Sequence, residues 1–118
     1  MDAVHVIDSY VHNGRVAVLV ELSTESDYAT RTDEFKALIR DVAMHIVASS
    51  PASVALLLEQ PFVKESALTV GQLIANASSV LRERISIERF VRWDTASAVP
   101  LGPEPPKSPA VAVRQLRA

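Results

Sequence analysis

Apolar and polar positions divide the first 95 residues into segments of clearly different period. Val4 to His12 and Arg15 to Leu22 read as two strands. In the second, Val16, Val18, Val20 and Leu22 alternate with Ala17 and Leu19, so the segment is apolar on nearly both faces. A strand of that kind is usually central in its sheet. Asn13-Gly14 stands between the two runs and tolerates positive φ at both positions, as a type I′ hairpin turn requires. Ser23 to Arg31 is polar and reads as a loop. Thr32 is a helix N-cap candidate, with Asp33 and Glu34 placed to oppose the helix dipole. Phe35, Leu38, Ile39, Val42, Ala43, Ile46 and Val47 follow at spacings of three and four, which predicts an amphipathic helix from Asp33 to about Ser49. Ser49-Ser50-Pro51 ends it.

Ser53 to Glu59 predicts a short helix or helical turn, closed by Pro61. Thr69 with Gln72 has capping-box spacing and opens a helix whose expected buried face is Val70, Leu73, Ile74, Ala77, Val80 and Leu81. Ile85 to Trp93 predicts a third strand, with Ile85, Ile87, Val91 and Trp93 on one face, interrupted by Arg89, and Phe90 pointing the other way. Beyond Asp94 the composition changes, with Pro100, Pro103, Pro105, Pro106 and Pro109 in the last 21 residues. The expected organisation is a core over 1–95 and a Pro-rich flexible or docked tail over 96–118. The expected fold is α+β: a small three-stranded antiparallel sheet, made of the hairpin plus the C-terminal strand and covered on one face by two to three helices.

Bulk properties narrow the chemistry. At 118 residues there is room for one domain. A net charge of −2 gives no general reason to bind nucleic acid or an anionic membrane. No cysteine is present, which excludes disulfides, thiolate metal sites and cysteine nucleophiles. No apolar run reaches the roughly 20 residues of a membrane span, and the N-terminus has no signal-peptide pattern. The expectation is a soluble cytoplasmic protein, favoured as a monomer, without cofactor or metal.

The catalytic inventory is thin. His5 and His12 lie an odd number of residues apart on one strand, so they face opposite ways and cannot jointly hold a metal. His45 sits at the flank of the helical stripe, where a half-packed ring is expected. No nucleophile elbow or Gly-rich phosphate loop occurs. Glu25, Asp27, Asp33 and Glu34 cluster before the first long helix. The dipole accounts for Asp33 and Glu34 and leaves Glu25 and Asp27 unexplained. Tyr28, beside Asp27, is either an interface anchor or a ring folded back onto the core. Arg82, Arg84, Arg89 and Arg92 form no coherent nucleic-acid stripe, since the last two face opposite ways.

Six blocks, in order, resemble the elongation factor Ts family. Ser9-Tyr10-Val11-His12-Asn13-Gly14-Arg15-Val16-Ala17-Val18-Leu19-Val20-Glu21-Leu22 is similar to its Y-I-H-x-x-x-R-I/V-G-V-L-V-E-L/V hairpin. Glu25-Ser26-Asp27-Tyr28-Ala29-Thr30-Arg31 resembles its E-T-D-F-V-A-R signature, and Ala43-Met44-His45-Ile46-Val47-Ala48 its A-M-H-I-A-A helix. Leu57 to Lys64 resembles L-L-E-Q-P-F-V-K, Thr69 to Leu73 resembles T-V-G-E/Q-L, and Ile87 to Trp93 resembles I-x-R-F-V-R-F. The resemblance spans Val4 to Asp94 and is to the single-subdomain form, without the N-terminal helical module or the coiled-coil insertion.

It implies a translation factor that binds elongation factor Tu, GDP-bound or nucleotide-free, and promotes GDP release without being an enzyme in the chemical sense. The alternative is a non-exchanging binding or assembly module that keeps only the fold. In the family the acid–aromatic tip intrudes beside the partner's nucleotide site and disturbs its magnesium and phosphate-binding loop. Carried over, Asp27 and Tyr28 are the intruding pair, with Glu25, Arg31, His45 and Met44 as further contact residues. Met44 lies opposite the core stripe. Tyr28 replaces the usual Phe, and Ala29-Thr30 replaces Val-Ala.

Overall fold

A computed structural model describes residues 2–96. The tail expected over 96–118 thus lies almost wholly outside the described residues. Strand β1 (Val4–His12) and strand β2 (Val16–Thr24) form the hairpin. Asn13 and Gly14 at its turn have φ of 55° and 66°, and the Arg15 amide donates to the His12 carbonyl at 2.9 Å. Helical turn α1 (Asp27–Thr30), helix α2 (Asp33–Ser49) and short helix α3 (Val54–Glu59) follow. After them come β3 (Pro61–Phe62), β4 (Glu65–Thr69), helix α4 (Val70–Leu81) and strand β5 (Ser86–Asp94). The main sheet is antiparallel in the order β1-β2-β5, with the doubly apolar strand in the centre. The fold is therefore the expected α+β one, with a separate two-stranded ribbon, β3-β4, added.

The core lies between one face of the sheet and the helices. Val18, Val20 and Leu22 of β2 pack against Phe35, Leu38, Ile39, Val42 and Ile46 of α2, with Leu57, Phe62, Val70 and Ile74 closing the far side. The helix ends obey the local chemistry. The Thr32 hydroxyl accepts from the Phe35 amide at 3.1 Å. Thr69 and Gln72 complete a capping box, with Thr69 N–H donating to Gln72 Oε1 at 2.8 Å and Gln72 N–H to Thr69 Oγ1 at 3.1 Å. Gly71 sits where α4 crosses α3, and a Cβ there would stand 3.0 Å from the Leu58 carbonyl oxygen.

Four expectations are corrected. The polar stretch 23–31 is not all loop, because β2 runs on to Thr24 and residues 27–30 make a helical turn capped by Ser26. The ribbon β3-β4 went unpredicted because β3 is only two residues long and β4 shows no alternation of buried and exposed positions. Val80 is 66% exposed rather than buried, since it lies beyond the rim of the stripe formed by Val70, Ile74, Ala77 and Leu81. The faces of β5 also differ. Glu21 pairs with Arg89 but Leu22 pairs with Ile87, so Glu88 is an extra residue in a bulge. A bulge shifts the phase of alternation by one. Ile87 therefore faces the core, Phe90 packs inward after it, and Val91 and Trp93 turn outward. Among the described residues no helix is long and apolar enough to cross a membrane.

Candidate functional site

The acid–aromatic tip is built where β2 leaves the sheet. The Thr24 hydroxyl donates to the Ser26 carbonyl at 2.9 Å, bending the chain. The turn after α4 then grips it. Arg82 is in the left-handed region, φ 59°, and the Glu83 amide donates to the Ser78 carbonyl at 3.1 Å. This presents the Glu83 carboxylate to the tip. Oε1 accepts from the amides of Glu25 at 3.1 Å and Ser26 at 2.9 Å, and Oε2 accepts from the Ser26 hydroxyl. In return the Arg84 amide donates to Glu25 Oε2 at 2.8 Å. The position of Glu25, unexplained by the helix dipole, is accounted for by this reciprocal clamp. Bonds of this kind to an ionised acceptor are stronger than neutral ones.

On this base α1 is a single helical turn. Ser26 Oγ accepts from the Ala29 amide at 3.3 Å, and Ala29 is buried. The Thr32 hydroxyl donates to the Ala29 carbonyl at 2.8 Å. Asp27 and Tyr28 are left on the outside of the turn. Tyr28 is 70% exposed, so its ring does not fold back onto the core. Arg31 pairs with Asp27 across one turn, with both side chains mostly exposed. Such a pair contributes little to stability and leaves the carboxylate open to an incoming donor.

The other two candidates are elsewhere. Met44 is half-buried on α2. His45 is 0% exposed rather than half-packed. Its Nδ1 accepts from the Val63 amide at 3.2 Å, so the ring proton is on Nε2, which donates to Gln60 Oε1 at 2.8 Å. Its ring lies 6.0 Å from that of Phe62, centroid to centroid. His45 thus ties α2 to the ribbon and presents no surface of its own. The structure brings Glu25, Asp27, Tyr28 and Arg31 together and keeps Met44 and His45 apart from them. Glu83 escaped the sequence reading. It is far from the tip in sequence, and nothing in the periodicity of its own segment marks it.

A second polar cluster lies on the outer sheet face. Glu21 accepts from Arg89 Nε at 2.5 Å and pairs with His5 Nδ1 at 2.7 Å. The bond from Arg89, and then that from His5, hold the Glu21 carboxyl below its ordinary range, against a smaller opposing effect of burial. No group of three or more His, Cys, Asp or Glu suited to a metal ion occurs among the described residues.

The family model described as "Elongation factor TS" matches residues 1–57. The chain is 32% identical to the elongation factor Ts of Rubrobacter xylanophilus, over 75% of this chain and 69% of the relative. The chain belongs to the elongation factor Ts family. It is also 33% identical to the elongation factor Ts of Solibacter usitatus, over 78% of this chain and 65% of the relative. With that of Alkaliphilus oremlandii identity is 30%, over 79% and 64%. The chain thus spans slightly less than two thirds of these last two family members. The alignment to the Alkaliphilus elongation factor Ts runs to 138 positions, more than the 118 residues of this chain, so that relative has positions without counterpart here.

Proposed function

We propose that this protein binds elongation factor Tu in the cytoplasm and promotes release of its GDP during translation elongation. The observation that carries the reading is the solvent-exposed Asp27–Tyr28 pair on a turn clamped by Glu83. Tyr28 supplies a large apolar surface with a polar end, and Asp27 a carboxylate free to compete for donors. Arg31 and Met44 extend the contact, Glu25 holds the tip, and His45 supports the surface from beneath through the ribbon.

No bond need be made or broken. A factor that binds the nucleotide-free partner more tightly than the GDP-bound one weakens GDP binding by the same ratio. A tenfold preference corresponds to about 1.4 kcal/mol. The clamp matters because a pre-ordered tip spends little of that difference on ordering itself.

A second reading, a binding module without exchange activity, is favoured by one fact: the alignment to the Alkaliphilus factor contains positions without counterpart in this chain. Release of a fluorescent GDP analogue from elongation factor Tu separates the two. Acceleration by the full chain, reduced at least tenfold in Asp27→Ala and Tyr28→Ala, supports exchange. Binding without acceleration supports the second reading. Neither binding nor acceleration refutes both.

A further inference from the structure

Asn13 and Gly14 form the tip of the β1–β2 hairpin, and both are solvent-exposed. The turn they make is closed by the bond from the Arg15 amide to the His12 carbonyl. Among the described residues the Gly14 amide makes no hydrogen bond. Nothing lies within 4 Å of the place that a Cβ on Gly14 would take. The turn therefore holds an asparagine carboxamide next to an unengaged amide nitrogen, with neither a side chain nor a neighbour crowding the approach.

That pair is chemically reactive. The Gly14 nitrogen, on giving up its proton, can attack Cγ of Asn13. The N–Cγ bond forms, the Cγ–Nδ2 bond breaks, and the departing nitrogen takes up the proton and leaves as ammonia. The product is a cyclic succinimide, and water then adds to one of its carbonyls and opens the ring. Addition at Cγ restores the ordinary main chain with aspartate at position 13. Addition at the main-chain carbonyl leaves the chain linked through Cγ, as isoaspartate, with the former main-chain carbonyl a free carboxylate. The sum is one water taken up and one ammonia released, without oxidation or reduction.

The chain carries its own comparison. Asn76, the only other asparagine, is also exposed. It lies inside α4, where the following amide belongs to Ala77 and is committed to the helical ladder. Exposure is alike at the two sites, and what differs is the backbone around them.

We infer that Asn13 is a modification site, converted by water alone to aspartate and isoaspartate, and that the isoaspartyl form undoes the hairpin end. A two-residue type I′ loop matches one backbone length and twist. The isoaspartyl link adds a methylene to the main chain and a carboxylate as a side branch. The His12–Arg15 bond then fails to close, and the Thr95 amide, which donates to the Arg15 carbonyl at 2.9 Å, loses a fixed partner. Ring closure also requires rotation about the Asn13 Cα–C bond away from the turn geometry, so its rate reports how often the hairpin end opens.

The test is ageing of the full-length chain in mildly alkaline buffer, followed by trypsin and mass spectrometry. Cleavage releases residues 1–15 with Asn13 and residues 65–82 with Asn76. The first peptide should gain the mass difference between water and ammonia and separate into aspartyl and isoaspartyl forms. Its conversion should be at least about tenfold faster than that of the second, since Gly14 brings no Cβ to the ring-closing approach. Asn13→Gly keeps a residue suited to positive φ and removes the carboxamide. Its first peptide should stay unchanged, and ageing should lower the urea midpoint of the native chain but not that of this variant. Equal conversion at the two asparagines overturns the inference. So does an Asn13 that stays intact in the folded chain while the urea-unfolded chain converts. Full conversion with an unmoved midpoint overturns the effect on the hairpin end.

Discussion

Replacing Glu83 by Ala tests whether the turn after α4 holds the tip. Three donors converge on this carboxylate: two backbone amides and the Ser26 hydroxyl. A hydrogen bond to a charged acceptor contributes about 1.5–3 kcal/mol when its donor stays buried without it. The Glu25 bond is exposed, while the two from Ser26 are part-buried. Water can replace the first at little cost and the other two only in part. The expected loss is therefore about 2 kcal/mol, well short of three times the single-bond value. Urea denaturation gives this as a lowered midpoint with an unchanged m-value. Amide exchange supplies the local readout: the Glu25 and Ser26 amides should lose protection while those of α2 keep theirs relative to the new global stability. Glu83→Gln, which keeps one acceptor oxygen, should recover part of the loss. A change below about 0.5 kcal/mol, the usual range of an unimportant surface substitution, with unchanged protection at residues 25 and 26, would refute the clamp. Tyr28→Ala is the complementary control, since a side chain 70% exposed should leave the urea midpoint unmoved while impairing GDP release.

Three further outcomes are expected. His45→Ala should cost about 3–5 kcal/mol in urea denaturation, because it opens a cavity, leaves the Val63 amide without its partner and leaves Gln60 Oε1 with the Ser49 hydroxyl alone; a loss under 1 kcal/mol would contradict its structural role. Gly71→Ala should destabilise by about 1 kcal/mol, the overpacking against the Leu58 carbonyl outweighing the gain in helix propensity; a higher urea midpoint would show that α3 yields freely. For Glu21, a carboxyl whose folded pKa lies below its unfolded value adds stability above the unfolded value of 4.5 and loses it as pH falls through the folded one. The acid limb of the stability–pH curve should accordingly flatten in Glu21→Gln, and an unchanged limb would remove Glu21 from the account.

The elements that could be read from the sequence are those whose stabilising pattern repeats within the element itself. The hairpin has its Asn-Gly turn and alternating valines, α2 has seven apolar residues at helical spacing, and α4 has both halves of its capping box. What escaped was decided by partners distant in sequence. One inserted residue, Glu88, whose carboxylate accepts from the Ser23 hydroxyl at 2.6 Å, reverses every later side chain of β5. A strict period of two therefore assigned Trp93 and Val91 to the wrong face. His45 was placed at the flank of its helix because the periodicity of α2 contains no trace of the ribbon that covers it. Among the tip residues, Asp27 and Tyr28 stood out as unexplained surface chemistry, whereas Glu25 looked equally functional until Arg84 and Glu83 were beside it.

On the proposed function, the separation between displayed and supporting residues follows from what an exchange factor is asked to do. Its effect is a difference between two affinities, so any disorder in the intruding segment subtracts from the difference that can be expressed. A four-residue helical turn has almost no intrinsic stability, and the exposed Asp27–Arg31 pair adds little. The order of the tip must come from outside it, from Ala29 buried beneath and from a carboxylate supplied by the far end of α4. A function of this type leaves only a weak signature in local sequence. The displayed pair can be read from its improbable exposure, while the residues that make it effective are visible only when the fold has brought positions 25 and 83 together.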